Sequence, residues 1–126
     1  MRIIPVLTFI LLMLVGFGFW INHSLSGTAD ELGVKFSHIE QAVKQNDWPS
    51  AGKQISLAEK SWSKSKSWWA VIIDHQEIDQ IEIAFSRIKS YIEAKNSGLS
   101  LGELATLRHS IEHIPQKEAV SIENIL

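Results

Sequence analysis

The chain has no cysteine, so disulfides, a thiolate nucleophile, a lipidated cysteine anchor and a Cys-based metal site are all excluded. It has no basic excess either. Its 12 Lys and Arg are outnumbered by 14 Asp and Glu, for a net charge of -2. A mildly acidic chain lacks the electrostatic footprint that nucleic acid demands. Strand-like alternation and Gly-rich phosphate loops are missing, and there is no Walker sequence, no Ser-His-Asp order and no paired-carboxylate cleft. No cofactor or small-molecule substrate is therefore indicated, and nothing positive points to an enzyme. With 126 residues the chain holds one domain at most.

What the sequence does have is one long apolar run. Ile3 to Ile21 reads IIPVLTFILLMLVGFGFWI and carries no charge. At about 1.5 Å per residue such a helix reaches roughly 28 Å, close to the thickness of a bilayer core. Pro5 suits its first turn, and Trp20 falls where an interfacial aromatic belongs. A cleaved signal peptide would have a shorter apolar stretch and small residues at its cleavage site. The longer run predicts an uncleaved signal anchor, with residues 1–27 as span and flank and residues 28–126 as a separate domain. Arg2 precedes the run, and His23, Asp30 and Glu31 follow it. The positive-inside rule then places the N-terminus in the cytoplasm and the domain outside the cytoplasmic membrane.

Beyond the span the apolar pattern is helical throughout. Thr28-Ala29-Asp30-Glu31 has the spelling of a capping box, opening a helix with Leu32, Phe36, Ile39 and Val43 on one stripe. Asn46 to Pro49 breaks it, with Asp47 as the next cap. A second helix carries Trp48, Ala51, Ile55, Ala58 and Trp62. The stretch S-W-S-K-S-K-S-W-W, Ser61 to Trp69, reads as a polar corner. A third helix from about Trp68 to Lys95 carries Ile78, Ile81, Phe85, Ile88 and Ile92. Ser100 to Glu103 spells another capping box, and Leu104, Leu107, Ile111 and Ile114 follow it. Pro115 is expected to end that helix and open a short last one with Ala119, Ile122 and Ile125. The expectation is an all-α protein: one N-terminal transmembrane helix, then an antiparallel bundle of about four helices.

Three polar features are candidates for function. His109-Ser110-Ile111-Glu112-His113 has the H-x-x-E-H spelling of certain metallopeptidases. His109 and His113 share a helix face and could chelate one ion. A catalytic zinc needs a third protein ligand; thirteen residues follow His113, offering Glu118 and Glu123. The expected reading is a solvated flank rather than a metal site. Asp74 to Glu82 is acidic and starts the third helix, where negative charge complements the helix dipole. Asp74 continues the apolar stripe and would want a partner such as His38. Finally Lys60, Lys64 and Lys66, interleaved with Trp62, Trp68 and Trp69, form a Trp-Lys surface that could meet a membrane.

The stretch WSKSKSWWAVIIDHQEIDQI from Trp62 to Ile81, the R-I-x2-Y-I that starts at Arg87 and the closing SIENIL resemble a family of small bacterial proteins. These carry one N-terminal membrane segment and a helical domain of unknown function, and come largely from Gram-positive spore formers. The resemblance implies an uncleaved anchor and a companion that is a multi-span membrane protein. It implies no activity. His75, Glu77, Ile78 and Asp79, in the shared H-x-E-I-D stretch, become candidates for contact with that companion. A membrane-surface or lipid-binding module is the rival reading.

Overall fold

The computed structural model describes the backbone of residues 1–125 and the side chains of residues 1–114. Four helices make up the described residues: α1 (Ile3–Lys44), α2 (Trp48–Ile72), α3 (His75–Glu93) and α4 (Ser97–Ile125). Helix α1 packs beside α2 and α4, and α3 packs beside the same two, so α1 and α3 face each other across the centre. Phe36 and Phe85 meet there, ring centres 6.2 Å apart. Side-chain pairs run in opposite order along neighbouring helices. Lys66 pairs with Glu82 while the earlier Glu59 takes the later Lys89; Gly33 lies near Glu112 while the later Glu40 meets the earlier Arg108. The result is an antiparallel four-helix bundle that shares its first helix with the apolar run.

That sharing departs from the sequence reading. No break separates the apolar run from the bundle: α1 is one helix of 42 residues, about 63 Å long. Thr28 therefore caps nothing. Its hydroxyl donates to the Ser24 carbonyl one turn back (3.2 Å), as Thr does inside a helix. The buried stripe begins earlier than Thr28, at Leu25, and continues through Ala29, Leu32, Phe36, Ile39 and Val43. The heptad spacing thus crosses the expected boundary, and neither Gly27 nor Ser26 is enough to stop it.

The other differences have similar causes. Ser61 to Ser67 is not a corner but the middle of α2: it contains no Gly or Pro, and Trp62 and Trp69, seven residues apart, keep the buried stripe in phase. The turn comes instead at Ile73 and Asp74. Helix α4 begins one turn before the expected capping box because Asn96 caps first, accepting the Leu99 N–H at 3.0 Å. Ser100 is then interior and buried, and Glu103 meets Arg87. The helix also runs on through Pro115, which forgoes one backbone donor without ending it. The expected inward faces of Ala119, Ile122 and Ile125 lie outside the described side chains.

All other stripe residues named above, from Leu32 to Ile114, are buried, save Trp48, which is half-buried against the core. Trp62 and Trp69 are the largest fully buried side chains and meet edge to face at 5.4 Å. Their indole nitrogens and the Ser100 hydroxyl have no hydrogen-bond partner among the described residues. Each carries a desolvation cost that the surrounding apolar burial has to exceed.

Candidate functional site

The bundle has two distinct ends. At the end remote from the apolar run, α1 turns into α2 and α3 into α4 by the same device. Asn46 (φ 57°) and Lys95 (φ 55°) take the left-handed conformation. Asp47 N–H then reaches the Ala42 carbonyl at 2.9 Å, and Asn96 N–H the Tyr91 carbonyl at 2.9 Å. These are Schellman closures. Asp47 caps α2 as expected, accepting the Ser50 N–H at 3.2 Å.

At the other end α2 passes into α3 through extended Ile73 and Asp74. Asp74 is an exposed N-cap that accepts the Gln76 N–H at 3.3 Å, not a carboxylate on the core side. Its expected partner His38 lies far down α1, in the remote half. Here α2 meets the apolar run directly: Trp68 packs edge-on against Trp20 with ring centres 5.5 Å apart, and Trp20 stacks on Phe17 at 5.9 Å.

The candidate surface residues divide by burial. Trp62 and Trp69 point into the core and offer no surface, whereas Trp68 is half-buried and Trp20 exposed. Lys60 and Lys64 are exposed, and Lys66 pairs with Glu82 across the α2–α3 seam. On α3, Ile78 is a core residue. His75 and Asp79 are exposed and Glu77 is half-buried, so the outward part of the H-x-E-I-D stretch is His75, Glu77 and Asp79. Asp79 also edges a shallow, open groove of about 480 Å³ with Glu82, Ile83, Arg87 and Tyr91.

His109 and His113 are exposed on α4, rings nearly parallel and 5.6 Å apart. Among the described residues no set of three His, Asp or Glu gathers where a metal could be held. Glu118 and Glu123 lie outside the described side chains. His109 and Glu112 instead line a groove of about 300 Å³ between α1 and α4, with Glu40, Lys44 and Arg108. Sequence reasoning missed this cluster. Arg108 reaches Glu40 at 3.5 Å and donates to the Ser37 hydroxyl at 3.0 Å; Lys44 donates to Glu40 at 2.8 Å. The Lys44 hydrogen bond and charge hold the Glu40 carboxyl below the usual carboxylate range; desolvation opposes them, and the Arg108 charge adds a smaller push in the same direction as Lys44. The Glu40-Lys44 spacing was the only local signal; Arg108 comes from 68 residues away. Within the groove the Glu40 carboxylate is thus paired with two cations, Lys44 and Arg108.

Residues 19–125 match the family described as Domain of unknown function (DUF4363). The chain belongs to this family. No curated protein and no solved structure matches it. The DUF4363 match takes in the last turn of the apolar run and all of the bundle's described core. The Trp20-Trp68 contact thus lies inside the family's domain rather than at a junction outside it.

Proposed function

We propose that this DUF4363 protein is a membrane-anchored, non-enzymatic accessory subunit that docks on a multi-span membrane protein. In this reading α1 stays uncleaved, with its N-terminus in the cytoplasm and the bundle on the outer face of the cytoplasmic membrane. The continuity of α1 carries the argument. Its first part has the length and composition of a membrane span and none of that stretch is buried within the bundle. Its second part supplies core residues from Leu25 to Val43. Removing the span at residues 22–27 would strip or expose the top of that core. A stiff, unbroken connection also holds the bundle at one height above the membrane, which suits a partner in the same bilayer. Arg2 before the run and acidic residues after it favour the stated orientation.

The partner surface is assigned to His75, Glu77 and Asp79, supported from beneath by Ile78. They sit at the membrane-facing end of α3, where a multi-span protein's outer loops lie within reach. Crosslinking in living cells, purification through a C-terminal tag and mass spectrometry test the reading. The expected result is one dominant multi-span protein, lost in the Glu77→Lys/Asp79→Lys variant. Recovery of no protein, or of the same protein undiminished by the charge reversal, overturns the assignment.

A further inference from the structure

We propose that the bundle's membrane-facing tip is itself a lipid-contact site: the last turn of α2, with Trp68, Val71 and Ile72 beside Trp20 of α1, is seated in the interfacial layer of the bilayer. The chain then meets the membrane twice, once through the span and once through this tip. The inference rests on reading the apolar part of α1 as membrane-embedded.

Register places the tip at the right height. A span beginning at Ile3 and about 28–30 Å long ends near Trp20 and Ile21. The C-terminus of α2 points toward the membrane, because α2 runs antiparallel to α1. The Trp20-Trp68 contact at 5.5 Å brings its last turn level with the end of the span.

Composition fits the same place. From Ser67 to Ile73 the sequence is SWWAVII, without a charge. Trp69 and Ile73 turn inward and are buried, at 0% and 6% exposure. Val71 turns outward at 77%, the most exposed large hydrophobic side chain among the described residues beyond Trp20. The exposed side thus joins an apolar residue to two Trp rings, the combination favoured at the headgroup-acyl boundary. An exposed face that continues the surface of the span, at the span's own end, has lipid as its natural occupant.

The next residues limit the depth. Asp74 is exposed and caps α3, and His75 and Gln76 beside it are exposed too. A hydrated carboxylate directly after Ile73 keeps the tip shallow and out of the hydrocarbon.

The absence of cysteine makes the test direct. Single cysteines at Val71, Leu12 and Leu57 of the full-length chain are labelled with an environment-sensitive NBD fluorophore and reconstituted into phosphatidylcholine vesicles. All three side chains are exposed, so the substitutions leave the core untouched. Leu12 reports the span. Leu57 lies on α2 about 21 Å from Val71 along the helix and reports the aqueous flank. The expected result is a blue-shifted emission at position 71 that lipids brominated near the headgroup end of the acyl chain quench more than lipids brominated near its terminus, with position 57 unquenched. Quenching at 12 with position 71 behaving like 57 overturns the tip contact and leaves the anchor standing. No quenching at either 12 or 71 overturns the anchor reading as well. A blue shift at 71 without quenching by any brominated lipid shows that protein covers the tip, a second copy or a partner, and also overturns it.

Discussion

The two ends of the bundle solve the problem of reversing a helix in opposite ways. The remote end is polar: Gln45-Asn46-Asp47 and Ala94-Lys95-Asn96 close with left-handed residues and Asp or Asn caps. The end beside the apolar run stays apolar to the last residue of α2, then reverses through an extended Ile73 and one capping carboxylate. At the two left-handed corners the backbone N–H groups of residues 45–47 and 94–96 all find carbonyl partners. An extended corner leaves backbone groups to be met by a cap or by water, as the Asp74 carboxylate meets the Gln76 N–H. The asymmetry accords with the proposed seat on a membrane, and it is built from corner chemistry.

The largest test of the contrast compares neighbours in one turn of α2. Trp69→Ala empties a fully buried site next to Trp62 and is expected to cost about 3–5 kcal/mol. Val71→Ala, two residues on, is expected to change stability by no more than about 0.5 kcal/mol in detergent micelles. Denaturant unfolding of the full-length protein, followed by far-ultraviolet circular dichroism, measures both. Equal losses would mean that Val71 is packed, and that the tip is core rather than surface.

The corners give the middle-sized effects. Asp47→Ala removes a cap and is expected to cost about 1 kcal/mol. Lys95→Gly should stabilise by up to about 1.5 kcal/mol, because a left-handed L-residue costs about 1–2 kcal/mol and glycine's extra chain entropy about 0.5–1 kcal/mol. Asn46→Gly should gain less, since Asn tolerates this region. Ile73→Gly has the opposite sign: it loosens an extended corner and removes a buried side chain. Thermal midpoints of the four variants check the ordering. A loss of stability in Lys95→Gly would break the account of the remote end.

Periodicity explains why so much of this fold was legible. Stripes such as Leu32-Phe36-Ile39-Val43 and Ile78-Ile81-Phe85-Ile88-Ile92 survive as the core because nothing but burial decides those positions. The boundaries were less legible because capping spellings are local, while a cap exists only where a helix is already starting. Thr28 and Ser100 have the right neighbours but sit inside helices set by Leu25 and Asn96. The run of Ser and Lys in α2 has the polarity of a corner, but the buried stripe stays in phase through it from Trp62 to Trp69. The Trp-Lys surface failed for Trp62 and Trp69 in the same way: side chains seven residues apart share a face, and here that face is the core. The Glu40-Arg108 groove was out of reach, since no local pattern brings α1 and α4 together.

That groove supplies the smallest expected effect, and the one whose sign is set by chemistry. Lys44 and then Arg108 stabilise ionised Glu40, so its folded-state pKa lies below the unfolded one. A depressed carboxyl contributes stability above the unfolded carboxylate pKa and loses it as pH falls through the folded value. Wild type should therefore exceed Glu40→Gln at neutral pH, and the difference should vanish once the medium is acid enough to protonate Glu40. The effect is small because the Glu40 side chain remains 34% exposed and Lys44 60% exposed, where water and salt screen the pair. Unfolding midpoints of the two proteins across the acid limb, at low and high salt, decide it. A gap that persists at low pH, or that ignores salt, would show that Glu40 acts through packing in the groove and not through its charge.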